Sequence, residues 1–281
     1  MSTPPKPVIT VQNLLNGAPG KRVLLVEGPN DKDVYSAWLK KLAHPDLFSA
    51  KVIVEQVGNK QQVLTALEWF RDNGNPLRLF GLVDRDEWDA GTLLVRTTAL
   101  PQLRVAANSD ALESYFSDPD ELEPSLRVED PAFAGQFPAF RAHLNSALPD
   151  WVRHWALFTT TERVKERMNA AIYPGAFHAT IPIPADADIQ NRFQDWSNLV
   201  AHPRLFQEFD ALRTAALASG LPEQFQSHVS SKRFFEYVVH AGPGGLQQFS
   251  AKADRTWRLD LAENTPVIPA DIAAILRPLL V

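Results

Sequence analysis

Val23-Leu24-Leu25-Val26-Glu27-Gly28-Pro29-Asn30-Asp31 decides how this chain folds. The opening residues form an unbroken apolar run, the pattern of a strand buried on both faces in a parallel sheet. Gly28 lets the chain turn sharply there, which leaves Glu27 exposed at the strand's end. Pro29, Asn30 and Asp31 supply helix-start chemistry, and Val34, Trp38, Leu39 and Leu42 follow at helical spacing. His44-Pro45 closes that helix.

The alternation continues downstream. Lys51 to Val57 reads as a second strand with Gly58-Asn59 as its turn. Val63, Leu64, Leu67 and Phe70 mark an amphipathic helix that ends in Asp72-Asn73-Gly74-Asn75-Pro76. Leu77 to Val83 is a third strand, running into Asp84-Arg85-Asp86, and Leu103 to Ala106 is a weaker fourth. Ala111 to Phe116 starts another helix with Asp110 as its cap. Strands alternating with helices predict an α/β domain with a parallel sheet over residues 21–120. Residues 1–20, rich in Pro, Asn and Gly around Val8-Ile9-Thr10-Val11, read as an N-terminal arm with a short edge strand.

Beyond about residue 120 the alternation stops. Glu121 to Pro149 is acidic and Pro-rich, and Trp155 to Phe158 suits a strand or a helix. Helices are expected over Thr161 to Ala171, Ile189 to Leu199, Pro203 to Ala218, Pro222 to Val239 and Pro269 to Val281. Residues 121–281 are therefore expected to form a mainly helical C-terminal domain, suited to docking or dimerisation.

Composition narrows the chemistry. The 281 residues suit one large domain or two small ones, and 45% apolar with 10% aromatic residues suffices for a core. The absence of cysteine excludes disulfides, zinc–thiolate sites and thiol catalysis. A net charge of −5 argues against wrapping nucleic acid by bulk charge alone. No stretch approaches the ~18 consecutive apolar residues of a membrane span, and residues 1–20 hold no apolar run of signal-peptide length. A soluble, cytoplasmic protein is the expectation.

In open parallel sheets the functional crevice lies at the carboxyl ends of the strands. Here one strand ends at Glu27 and another at Asp84-Arg85-Asp86. If these strands are neighbours, three carboxylates converge on one edge. Clustered carboxylates repel, and a hard divalent cation with oxygen ligands, Mg²⁺ or Mn²⁺, relieves that repulsion. Such ions act on phosphate esters. A lone Asp-x-Asp after a strand is often a solvated turn; paired with Glu27-Gly28-x-x-Asp31 it is far more specific.

Val26-Glu27-Gly28 with Asp31, followed by Asp84-Arg85-Asp86, resembles the Toprim domain of topoisomerases, bacterial primases and overcoming-lysogenization-defect nucleases. The resemblance covers about residues 21–118 and implies a small doubly wound α/β sheet. It implies that Glu27 acts as general acid/base or metal ligand, and that Asp84 and Asp86 bind Mg²⁺. With Val83-Asp84-Arg85-Asp86 and the acidic segment Asp110-Ala111-Leu112-Glu113-Ser114-Tyr115, the chain is similar to stand-alone prokaryotic Toprim-like nucleases. These include the nuclease subunit of the PARIS anti-phage defence system, whose partner is an ABC-type ATPase. The resemblance thus implies a metal-dependent endonuclease acting as a restrained toxic effector. It also implies that a carboxylate near Asp110 and Glu113 helps hold a second metal; otherwise Asp110 caps the helix and Glu113 is solvated. Asp31 joins Glu27, Asp84, Asp86, Asp110 and Glu113 as the expected metal set.

The remaining candidates carry less. Ser230-Ser231-Lys232-Arg233 places Lys232 where it could reach a scissile phosphate, or merely start a helix with solvated bases. Lys60 offers the same choice at the start of its helix. Trp88 could stack on a base or pack against the loop. The seven histidines lack metal-site spacing, and Gly242-Pro243-Gly244-Gly245 lacks the Lys-Ser/Thr of a P-loop. A catalytically silent Toprim module that binds a partner, and a topoisomerase- or primase-like activity, are the alternatives. The chain has no zinc-binding cysteines and no polymerising module to support the second of these.

Overall fold

The computed structural model describes residues 4–43, 45–74, 76–85, 88, 90–106, 112–129, 131–172, 186–229, 231–241, 244–246 and 254–281. Strands β1 (Arg22–Val26), β2 (Val52–Gln56), β3 (Leu79–Asp84) and β4 (Leu103–Ala106) are interleaved with helices. These are α1 (Lys6–Gly17), α2 (Pro29–Leu42), α3 (Pro45–Lys51), α4 (Lys60–Asp72) and α5 (Ala90–Ala99). After β4 come a short 3-10 turn (Leu112–Phe116), α6 (Pro119–Glu129) and the long α7 (Phe137–Ile172). Next are α8 (Asp186–Leu199), α9 (His202–Ala218) and α10 (Leu221–Ser227). α11 (Ser231–Phe234) continues into a π-helical turn (Phe235–His240), and α12 (Asp254–Asn264) and α13 (Ala270–Leu276) follow.

The four strands form one all-parallel sheet in the order β2-β1-β3-β4. Strands β1 and β3 are hydrogen-bonded neighbours, with Val23 opposite Leu79 and Leu25 opposite Gly81. Every carboxyl end therefore opens on the same edge. Val23, Leu24, Leu25 and Val26 are all fully buried, as a central strand covered on both faces requires. Val23 and Leu25 join a cluster with Val63, Leu64 and Leu67 of α4.

That cluster also contains Val8, Val11 and Leu15, and this corrects the edge-strand reading of the N-terminus. Residues 6–17 are helical, and the three apolar positions fall on one helical face. Pro7 sits in the first turn, where its missing N–H costs nothing. α5 was not expected either. None of its residues is fully buried: Leu93 packs partly buried on the core, while Leu94 and Val95 are about two-thirds exposed, which blurs the apolar stripe in the sequence. Gly28 adopts ordinary extended backbone (φ −128°) as the N-cap of α2. The sharp-turn role assigned to a glycine there is not needed.

Beyond residue 120 helix is general. α6 forms despite Pro124, and α7 runs unbroken through Trp155 to Phe158 and past Pro149, so the first of these stretches is helix rather than strand. The expected helix from Pro222 to Val239 is instead α10, then α11 and the π turn. The chain separates into two compact units. The first comprises residues 1–146, 225–227 and 231–281; the second comprises residues 147–224 and 228–230. In this division residues 231–281 fall in the same unit as the sheet. In the first unit α12 packs against α2 and α6. Lys41 Nζ donates to Thr265 O at 2.5 Å, and Arg22 Nη1 donates to Leu279 O at 3.2 Å. In the second unit Glu208 of α9 pairs with Arg163 and Arg167 of α7, at 3.5 and 2.9 Å. Among the described residues no helix is long and apolar enough to cross a membrane.

At Gly81 helix α4 lies close against β3. A Cβ there would stand 2.7 Å from Val63 Cγ1 and 2.8 Å from Leu67 Cδ1. The Val63 side chain, β-branched on a helix, has little freedom to move aside. Gly81→Ala is therefore expected to destabilise the protein by about 1–3 kcal/mol through overpacking. Urea unfolding measures this; a neutral or stabilising change would show that α4 lies less tightly on β3.

Candidate active site

The sheet's topology brings Glu27 and Asp84 to one edge. Glu27 follows the last residue of β1, and its Oε1 accepts the backbone N–H of Asp84, at the end of β3, at 3.1 Å. The Glu27 backbone is held as well, its carbonyl accepting Gly58 N–H at 2.9 Å. Gly58, at φ +121°, occupies the left-handed region that favours glycine in this turn.

Asp31 completes the first turn of α2. Its Oδ2 accepts the Gly28 N–H at 2.7 Å, one half of a capping box. Burial pushes its carboxyl up to about 7; Glu113 and Glu27 push the same way, while the Gly28 N–H and Lys232 oppose them. Lys232, on α11, is therefore close enough to act on this cluster, although its side chain is exposed.

Two tyrosines frame the carboxylates. Tyr35 lies one helical turn beyond Asp31 and is buried. Burial pushes its phenol well above the usual range, and Asp84, Asp31, Tyr115 and Glu27 add to the shift. It stays a neutral hydroxyl at any physiological pH. Tyr115 donates to Asp271 Oδ2 at 2.6 Å. Trp38 packs edge-on to both rings, with centroids 5.8 and 5.9 Å away.

Glu113 departs from its expected setting. It sits in a 3-10 turn, is buried, and accepts from Arg258 Nε of α12 at 2.9 Å. It is not a solvated helix residue. Sequence reasoning missed Arg258, Asp271 and Tyr35. The i, i+4 spacing from Asp31 could have flagged Tyr35; nothing local points to the other two. Asp86, Asp110 and Ser230 lie outside the described residues.

Lys60 stands at the start of α4, after β2. Lys60 Nζ lies 4.5 Å from the Trp88 ring centroid and 3.4 Å from Arg85 O. Trp88 packs partly buried against the α1–α4 cluster, and its carbonyl accepts from Arg85 Nε at 2.9 Å. That is the packing role of the two considered for it.

Among the described residues no group of three or more His, Cys, Asp and Glu side chains is poised to hold one ion. Mg²⁺, however, needs only one or two carboxylates and keeps several waters. Glu27 and Asp84 supply hard oxygen donors of that kind, and a cation relieves the repulsion that Glu113 and Glu27 add to burial in raising Asp31. The residues present fit such an ion.

The raised Asp31 carboxyl has a measurable consequence. Its folded-state value near 7 exceeds its ordinary 3.8. Protonation is thus favoured in the fold, and the metal-free protein loses stability as pH rises from about 4 to 7. The loss is at most about 1.4 kcal/mol per pH unit. Asp31→Asn, which keeps an acceptor for Gly28 N–H, should flatten that slope. Urea unfolding in EDTA at pH 5 and 7 tests it, and equal slopes in the two proteins would count against a buried, crowded Asp31.

No family model matches the chain, and no curated protein matches it.

Proposed function

We propose that this protein is a Mg²⁺- or Mn²⁺-dependent endonuclease of the Toprim type, cleaving phosphodiester bonds of RNA such as tRNA, or of DNA. The reading is supported above all by the parallel neighbours β1 and β3, which set Glu27 and Asp84 side by side, linked by the Asp84 N–H to Glu27 Oε1 hydrogen bond. When bound, the cation supplies charge stabilisation at a phosphate oxygen. Glu27 and Asp84 would hold it, joined by Asp86, two residues further along the sequence. Water attacks phosphorus and the bond to the leaving oxygen breaks. Glu27 handles the proton of the attacking water. Lys232 faces the charge developing on the phosphate.

With a net charge of −5, substrate is held by the cation and local bases such as Lys60 and Lys232, not by a broad basic groove. An effector of this kind needs restraint in its own cytoplasm. An ABC-type ATPase partner or a homodimer docked on the C-terminal half would supply it. Exposed Leu157, Phe158, Phe193 and Phe206 on the helical unit support such docking.

Purified protein incubated with plasmid, single-stranded DNA and tRNA tests the proposal. Cleavage is expected with Mg²⁺ or Mn²⁺ and none in EDTA. Absence of cleavage in every condition would favour a silent binding module built on the same sheet.

A further inference from the structure

The Glu113–Arg258 pair lies at the carboxylate cluster yet has no part in the chemistry above. Arg258 is fully buried and Glu113 is 6% exposed. The Arg258 Nε donates to Glu113 Oε1 at 2.9 Å, and its guanidinium carbon lies 4.7 Å from the Phe235 ring centroid. Glu236 Oε1 stands 4.0 Å from Nη2. Arginine does not shed its proton inside proteins, so this is a permanent cation. The ring face and two carboxylates fix it in place. Glu113 is also close enough to Asp31 to act on its charge. The pair therefore borders the site itself.

Resting on the nuclease reading, we infer that Arg258 stands where a second metal ion would be needed, so that the site takes one divalent cation per chain. A cation bound through Glu113 would share one buried carboxylate with a fixed positive charge, and burial strengthens that repulsion. The guanidinium already neutralises Glu113, which among the described residues leaves Glu27 and Asp84 for a single ion that keeps several waters. A two-metal clamp on the attacking and leaving oxygens is thereby replaced by one metal and an internal arginine. Arg258 is a positioning residue: it acts through Glu113 and does not touch substrate.

The count of bound ions decides the matter. Mn²⁺ is titrated into the metal-free full chain, and free Mn²⁺ is followed by electron paramagnetic resonance. One ion per chain is expected, both for the wild type and for Glu113→Gln with folding verified by circular dichroism. Two ions in the wild type overturn the inference while leaving the nuclease reading intact. Loss of the single ion in a folded Glu113→Gln protein also overturns it, because Glu113 is then a ligand. No bound Mn²⁺ in the wild type sinks the metal-dependent reading and this inference with it. Should Glu113→Gln fail to fold, the wild-type count alone separates one ion from two.

Discussion

Glu27→Gln should lower nucleic-acid cleavage roughly 100- to 10,000-fold, the usual range for removal of a general acid or base, while the protein folds normally. Glutamine retains an oxygen that can accept the Asp84 N–H, now held at 3.1 Å, so the two strand ends stay joined. What disappears is the proton-accepting charge and a ligand for a hard cation. The same change removes one of the influences that raise the Asp31 carboxyl. Glu27→Ala makes a useful comparison, because it loses the strand-end hydrogen bond as well. Single-turnover rates with saturating Mg²⁺, paired with urea unfolding, separate the two effects. Wild-type cleavage by a folded Glu27→Gln protein would end the assignment.

The largest effect on stability is expected at Arg258. Arg258→Ala leaves Glu113 buried and without its guanidinium, with side-chain exposures of 1% and 8% for the original pair. Removing one partner of a buried ion pair costs about 3–5 kcal/mol. At roughly 2–4 °C per kcal/mol for a chain of this size, the melting temperature falls on the order of 10 °C. The companion change Glu113→Leu should recover much of that loss, since an apolar pair needs no charge compensation. Thermal unfolding of both single variants and the double variant measures the coupling. A single Arg258→Ala variant as stable as wild type would mean that the pair does not hold the 3-10 turn to α12.

The sheet was readable because strands buried on both faces are apolar runs, and Val23 to Val26 could hardly be anything else. That Glu27 and Asp84 share an edge was readable for a related reason: strand ends in parallel sheets lie together. Where periodicity was weak, reading failed. In α1 the alternation of Val8 with Thr10 and the nearby prolines mimics an edge strand, and only burial of Val11 and Leu15 with Val8 reveals the helix. In α5 the exposed Leu94 and Val95 beside the core-facing Leu93 blur the apolar face. The partners of Glu113 and Tyr115 were beyond reach. Arg258 and Asp271 lie 145 and 156 residues further on, and no local pattern encodes so distant a contact.

That distance has a consequence during synthesis. The strands and their carboxylates leave the ribosome first, and Arg258, Asp271 and Leu279 follow 145, 156 and 257 residues after the groups they bind. Contacts of high sequence separation form late and slowly, and synthesis adds only ~5–20 residues per second. A nascent chain interrupted before Arg258 therefore carries Glu113 without its buried cation, and its 3-10 turn keeps Trp38 against Tyr115 but lacks α12. On the proposed nuclease reading this is a timing safeguard: the ion pair beside the carboxylates closes only after the chain has grown past Arg258.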